Sequence, residues 1–519
     1  MKKKAKNILI SLAVILGIWL IIKISFLWLV LIVLSLAALA IYDLKQTKHS
    51  LWRNFPIVGR LRWVLEDLRP PMRQYFMESD IDGVPFNRQA RSLVYRRSKK
   101  LVSTFPFGTK VDVYKAGYEW VGHSLGAIKA HDLEQDPRVL VGGSSCTKPY
   151  SASIFNVSAM SFGALSSAAV QSLGHGAKIG GFALNTGEGG LSKYHLESKC
   201  DLIWQIGTGY FGCRNEDGTF NEDLFAQKSV SENVKMIEIK LSQGAKPGHG
   251  GILPANKNTP EIAEGRGVKP HTRVDSPPTH SSFKTPKEMM QFIEKLRNLS
   301  DGKPIGIKLC IGRKEEFINL CKAMNETGLK PDFITVDGGE GGTGAAPLEY
   351  ANSVGMPLRE ALIFVVDSLI GFDLKKDIKV VASGKVLNGM DILKKLALGA
   401  DLCASARGMM FSLGCIQALD CHKNTCPTGV ATQNKRLSSA LVVEDKKQRV
   451  ANYHEGTIES FVELLASSGL DDFEKLDRHH VFYRLDQTNY KRYDELYTPM
   501  EVGDLLSAPY PDGFKRFMV

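Results

Sequence analysis

The sequence predicts an α/β protein whose body is a (β/α)8 TIM barrel. Three observations carry that expectation. Beyond residue 135, short apolar runs alternate with amphipathic stretches, and eight of the runs read as strands. Glycine-rich segments recur at the C-terminal ends of those runs, where barrels of this kind keep their active sites. Hydrophobic residues make up 44% and charged residues 23%, a globular balance that excludes a disordered or low-complexity chain.

The N-terminal element is apolar from Ile8 to Tyr42, broken by Lys23 and Ser25. As one helix it would reach roughly 50 Å, well beyond a ~30 Å hydrocarbon core. We therefore expect a transmembrane hairpin within residues 1–45, with spans 8–22 and 24–41 turning near Lys23; one tilted span or a re-entrant hairpin is the alternative. Lys2, Lys3, Lys4 and Lys6 precede it and Lys45 and Lys48 follow it, which places both ends and the rest of the chain in the cytoplasm. The apolar region is too long for a cleaved signal peptide. The net charge is +11, and residues 1–53 hold eight Lys/Arg and one Asp, so most of that charge belongs to membrane topology rather than to a nucleic-acid surface.

Residues 46–135 form a connector rich in Arg, Pro and aromatics. Its basic run (Arg88, Arg91, Arg96, Arg97, Lys99 and Lys100) is a solvated helix face or a contact for anionic lipid headgroups.

Residues 136–435 carry the barrel. Its strands are expected at Ile154–Ala159, Phe182–Asn185, Leu202–Gln205, Met236–Leu241, Ile305–Leu309, Phe333–Val336, Lys379–Ala382 and Asp401–Ser405. Helical patterns lie between many of them, as at Pro286–Leu299, Glu315–Met324 and Asp391–Leu398. The stretch 243–280 is too long for a simple connection and reads as functional. Residues 436–519 read as a helical extension packed on the barrel base or on a neighbouring subunit.

The candidate site follows from the strand ends. The first strand runs into Ala159, Met160 and Ser161; the second ends at Asn185 and the third at Gln205. The fourth leads into Lys240, Gln243 and Lys246, and the fifth carries Lys308. The sixth runs into Asp337, Gly338, Gly339 and Gly344; the seventh ends in Ser383-Gly384 and the eighth in Arg407-Gly408. Glycines after the last two strands let backbone N–H groups approach a phosphate, and flavin mononucleotide (FMN) fits such a site. Lys308 is placed to stabilise an anionic reduced flavin near N1–O2, or else to make a structural ion pair.

Cys415-x5-Cys421-x4-Cys426 is a second constellation. Thiolates ligate iron–sulfur clusters, and three of them suit a cluster of three irons or one with a ligand other than Cys. Zinc with His422 is an alternative, although His422 directly follows Cys421; three ordinary buried thiols are another. Cys146, Cys200, Cys213, Cys310, Cys321 and Cys403 are scattered and read as plain thiols. Nine cysteines in 519 residues are too few for a disulfide scaffold.

Together Ser158–Ser166, Asn185–Gly190, Glu238–Gly251, Asp337–Pro347 and Gly414–Gln433 resemble the FMN-binding synthase domain of glutamate synthase, over about residues 135–435. The resemblance implies a barrel holding FMN and a 3Fe-4S cluster. It implies that ammonia and 2-oxoglutarate condense to 2-iminoglutarate, which FMN reduces to L-glutamate with electrons passed through the cluster. Lys240, Gln243, Lys246 and Arg266 match the residues that hold 2-oxoglutarate, and cations of both kinds suit a dicarboxylate. His249 stands where the family has an acidic residue. An amidotransferase domain is not found in the sequence, so free ammonia or a separate glutaminase subunit is expected to supply nitrogen. The electron donor is not named by the sequence, which holds no G-x-G-x-x-G opening a βαβ unit for NAD(P)H. Two alternatives accompany this reading: a related flavoenzyme for another 2-oxo acid or amine, and a membrane electron-transfer subunit.

Overall fold

The computed structural model describes the backbone of residues 2–518, with side chains from Leu12 onward except at positions 13, 20–22 and 25. The chain divides into two compact units, Met1–Gly83 and Val84–Val519.

In the first unit, α1 runs unbroken from Lys2 to Lys45, so the hairpin expected near Lys23 is replaced by one continuous helix. Lysine is a good helix former, and a break in polarity without Gly or Pro is no break in conformation. The Lys23 ammonium sits 4.4 Å from the Trp19 ring centroid. Phe26–Lys45 is long and apolar enough to cross a membrane. Much of the other expected span, 8–22, lies outside the described side chains. Two short helices follow, α2 (Ser50–Asn54) and α3 (Leu61–Met72). Pro70 and Pro71 remove two N–H donors from α3, which ends in a wider π turn over Arg73–Met77.

The second unit opens with α4 (Arg88–Ser98), capped by Asn87, whose side chain accepts from Ala90 N at 2.9 Å. Its basic run is not simply solvated. Arg91 is buried, Arg97 reaches Thr457 and Lys100 pairs with Glu455, both on the long helix Val443–Ser467.

The barrel strands are β1 (Phe155–Val157), β2 (Leu184–Asn185), β3 (Leu202–Ile206), β4 (Val234–Lys240), β5 (Ile305–Leu309), β6 (Phe333–Asp337), β7 (Lys379–Ser383) and β8 (Leu402–Ser405). They pair in parallel and close into a barrel, β4 meeting β5 with Lys240 opposite Lys308. Strand residues are buried almost throughout, as expected for parallel strands covered by helices. The stretch after β4 builds its own small structure: strands Ile252–Leu253 and Val274–Asp275 pair antiparallel around helix Pro260–Arg266. Thr259 caps that helix, Pro260 opens it and Gly267 closes it at φ +67°.

The eighth βα unit runs past residue 435. The short helix Arg407–Ser412 follows β8, then the cysteine segment, and Val443–Ser467 completes the outer ring. This long helix packs on α5 (Ser167–Gly180), where a side chain at Gly176 would meet Val450 Cβ at 2.6 Å. Residues beyond it are not all helical. Val481–Arg484 pairs with Tyr490–Arg492 and with Glu119–Val121 of the connector, and Trp120 stacks on Phe482 at 5.3 Å. Aromatic and β-branched residues favour that pairing. Glu119 is fixed there by Lys394 Nζ at 2.8 Å and Tyr493 Oη at 2.7 Å.

His454, on the long helix, is buried beneath the barrel, stacked on Phe182 at 4.0 Å and donating to Phe155 O at 2.9 Å. Burial pushes its pKa down to about 3, and those of buried His195 and His280 down to about 4. These rings stay neutral in the fold, whereas in the unfolded chain they take up protons below about pH 6.5. Their stabilisation is therefore full above that pH and falls as pH drops, by about 1.4 kcal/mol per pH unit per histidine. Denaturant melts from pH 7.5 to pH 5 should show this slope, and His454→Gln should flatten it by about one proton's worth.

Candidate active site

The C-terminal ends of the strands open into one cleft of about 1480 Å³, counting space open to solvent. Ala159, Met160 and Ser161 line one wall, with Gln205, Lys240, Gln243, Lys246 and Arg266 around them. Lys308, Asp337, Gly344, Ser383, Gly384, Arg407 and Gly408 line the other side, and Cys421 reaches the rim. Asn185, Gly338, Gly339, Cys415 and Cys426 do not line it.

Asn185 sits one layer lower. Its Nδ2 donates to Glu238 Oε2 at 2.8 Å, and Gln205 Nε2 and Thr335 Oγ1 donate to the same carboxylate at 2.5 and 2.6 Å. Gly338 and Gly339 lie behind the cleft, where Gly339 N donates to Met356 O at 2.8 Å.

The floor is an ion pair. Lys308 Nζ stands 3.4 Å from Asp337 Oδ2, and both residues are buried. Burial opposes the lysine's charge, but Asp337 and Glu238 outweigh it and hold the ammonium above its ordinary value. Asp337 also accepts from Ser383 Oγ and Gly244 N, each at 2.8 Å. Lys308 thus makes the structural pair and faces the cleft as well. Gly384 beside it has φ +147°, which favours glycine. A side chain at Gly408 would collide with Tyr453 Oη and Ser405 Oγ.

The opposite end gathers three cations around one carboxylate. Lys240 Nζ meets Glu188 Oε1 at 2.9 Å. Burial pushes the Glu188 carboxyl up, but Lys240, Arg266 and Lys246 outweigh it and hold the group below its ordinary value. Burial lowers Lys246, and lowers Arg266 to about 10. Arg266 lies over the Phe211 ring and donates to Phe162 O at 3.2 Å, while its buried Nε has no partner. His280 Nε2 donates to Lys240 O at 2.9 Å and Nδ1 accepts from Tyr210 Oη at 3.1 Å, fixing the backbone beneath Lys240. The surplus of two positive charges suits a buried dianion. His249 stands apart, edge-on to Tyr350 at 5.4 Å.

The cysteine segment hangs over the cleft. Gln417, Leu419 and Asn424 have φ of +57°, +60° and +66°, so its backbone is strained at three non-glycine residues. Asn424 anchors it, accepting from Gln433 N at 2.6 Å and donating to Asn256 O at 3.0 Å. Tyr95 Oη donates to Cys415 O at 2.6 Å. Arg407 joins Thr343 O to the Cys421 sulfur, 3.9 Å from its Nη1. Burial raises the Cys415 thiol to about 11, with Cys421 and Cys426 adding to the shift. Burial also raises Cys426, but the Thr428 hydroxyl and the backbone N–H groups of Ala431, Thr428 and Val430 outweigh it and bring that thiol below its ordinary value. Among the described residues no three His, Cys, Asp or Glu side chains are grouped to hold a single metal ion. All nine cysteines are free thiols.

Several site residues escaped sequence reasoning. Glu188 lies in a Gly-Glu-Gly-Gly run in which nothing marks the carboxylate as a site residue. Lys257 gives no sequence signal, yet it is buried and its Nζ donates to Ala164 O, Cys421 O and Ala431 O at 2.8, 3.2 and 3.1 Å. Phe86 lines the cleft from the connector.

A closed parallel barrel with charged side chains converging above its strands defines an enzyme of the (β/α)8 class. Residues 129–471 match the conserved region in glutamate synthase. The chain belongs to the glutamate synthase family and is an oxidoreductase. It is 40% identical over 494 residues to the glutamate synthase large subunit-like protein YerD of Bacillus subtilis (strain 168), covering 88% of this chain and 94% of that one. It is 33% identical over 319 residues to the archaeal-type glutamate synthase (NADPH) of Thermotoga maritima, covering 61% of this chain and 60% of that one. Among solved structures, a mandelate oxidase mutant with a monooxide FMN adduct is 15% identical, covers 82% of this chain and 99% of that one, and has a TM-score of 0.42.

Proposed function

We propose that this enzyme makes L-glutamate by reducing 2-iminoglutarate, formed from 2-oxoglutarate and ammonia with loss of water. The carrying observation is the excess of buried cations at one end of the cleft: Lys240, Lys246 and Arg266 against Glu188. Lys246 and Arg266 hold the two carboxylates. Arg266 brings a fixed guanidinium to the cleft, and the Lys240–Glu188 pair on the same wall would supply a proton to the substrate. Burial keeps water from competing for the imine.

FMN and an iron–sulfur cluster complete this reading. Gly384, Arg407 and Gly408 line the cleft at the strand ends and would hold the flavin phosphate, and Lys308, lining the same cleft, would lie near its ring. Cys415, Cys421 and Cys426 would hold a 3Fe-4S cluster, with Arg407 and Lys257 supplying positive charge beside the sulfurs. When bound, FMN supplies two reducing equivalents to the substrate and the cluster feeds it single electrons.

The nitrogen source in this reading is free ammonia or a separate glutaminase subunit. Helix α1 anchors the chain in a membrane, with the barrel in the cytoplasm; the basic residues after Phe26–Lys45 and the free thiols support that side.

Anaerobic single turnover tests the chemistry. Protein reduced with dithionite and freed of excess should reoxidise its flavin only when 2-oxoglutarate and ammonium are both present, with glutamate as product. Flavin that stays reduced with both overturns the proposal.

A further inference from the structure

The first unit carries an apolar face that nothing in it covers, and this inference rests on the anchor reading of α1. We propose that residues 46–77 form a collar lying in the headgroup region of an anionic phospholipid bilayer, where α1 leaves the membrane.

The turn after α1 is fixed. Asp43 is fully buried, and its carboxylate takes Arg60 Nη2 at 2.6 Å, Arg60 Nε at 3.1 Å and Ile57 N at 2.9 Å. Gln46 accepts from His49 N at 2.8 Å and donates to His49 O at 2.7 Å. The Arg60 guanidinium lies 4.2 Å from the Trp52 ring centroid, and Trp52 packs edge-on to Trp63 at 5.4 Å. A bidentate ion pair and packed aromatics hold α2 and the start of α3 against the end of the candidate span. Tryptophans gather there, as they do at membrane–water interfaces.

The outward face needs an occupant. Leu61, Val64, Leu65, Leu68 and Met72 recur at helical spacing along α3, and no residue of that helix is buried. Phe76 and Met77, just beyond it, are each 78% exposed. Arg62, Glu66, Arg69 and Arg73 fall on other faces. From Asp43 to Met77 there are seven Lys/Arg and three Asp/Glu. An apolar stripe flanked by excess cations and continuous with a membrane span matches a helix lying in an anionic interface.

The test uses the full chain reconstituted into vesicles of phosphatidylcholine alone or mixed with phosphatidylglycerol. A bilayer-confined photoreactive lipid and a water-soluble footprinting reagent are applied in parallel, with labels read by mass spectrometry. The lipid probe should mark peptides within 61–77 several-fold more in the anionic vesicles. The double variant Leu65→Glu, Leu68→Glu should lose that label several-fold while labelling of Phe26–Lys45 and resistance to alkaline carbonate stay unchanged. Strong aqueous labelling of 61–77, equal lipid labelling without phosphatidylglycerol, or a cross-link between two copies through α3 overturns the collar and leaves the anchor standing. Release by carbonate with an unlabelled Phe26–Lys45 overturns the anchor reading itself.

Discussion

Arg266→Met is expected to raise the KM for 2-oxoglutarate by about 10²- to 10³-fold, or roughly 3–4 kcal/mol. Arg266 is buried, and its Nη2 already serves Phe162 O, so its geometry is set before any ligand arrives. Its Nε is the unpartnered donor of the cluster. The variant removes one cation of three while Glu188 remains. Because Lys240, Arg266 and Lys246 hold the Glu188 carboxyl down against burial, losing Arg266 raises its pKa. The acidic limb of the pH–rate profile should therefore move to higher pH. Arg266→Lys keeps the charge but loses the fork, so it should restore the acidic limb more fully than the KM. Steady-state kinetics across pH 5–9 separates the two effects. A KM unchanged in Arg266→Met would remove this residue from the substrate site.

Lys257→Met is expected to be the most damaging single change outside the cation cluster. The three ammonium N–H groups match three carbonyls, one after β1 and two in the cysteine segment, which no neutral side chain can do. The Met variant leaves those carbonyls without their donor, at a cost of about 3–5 kcal/mol after partial hydration. The melting temperature should fall by roughly 10 °C. Lys257→Arg should not rescue it, since a planar fork cannot serve three converging oxygens. Cys421 O is one of the three, so iron content after anaerobic reconstitution should fall with stability. Equal iron in variant and parent would limit Lys257 to a purely structural tie.

The strands and their order were legible because parallel buried strands leave plain apolar runs between amphipathic helices. All eight barrel strands overlap the runs read from the sequence, and Pro286–Leu299 coincides with its helix because Thr285, Pro286 and the apolar spacing mark it. The expected turn at Lys23 failed for a physical reason: hydropathy shows where a span ends, not where a backbone bends. Glu188 was hidden because a carboxylate's role here depends on three cations brought from 52 to 78 residues away in the chain, Lys240 and Arg266 being the limits. Lys257 and Phe86 were illegible for the same reason, since each acts through contacts that only the closed fold creates.

The placement of Val443–Ser467 after the cysteine segment has a consequence for synthesis on the ribosome. The helix that completes the ring emerges after all eight strands, and the connector strand Glu119–Val121 finds its partner only at Val481–Arg484. The eight strands can close once β8 has emerged, because β8 pairs with β1, but the outer ring gains its last helix and the connector strand its partner only later in synthesis. A stop codon placed after residue 442 would give a chain holding every cysteine, every cleft cation and all eight strands but not the last helix of the outer ring. Such a product should be drawn off by chaperones or proteases rather than accumulate as a shorter working enzyme.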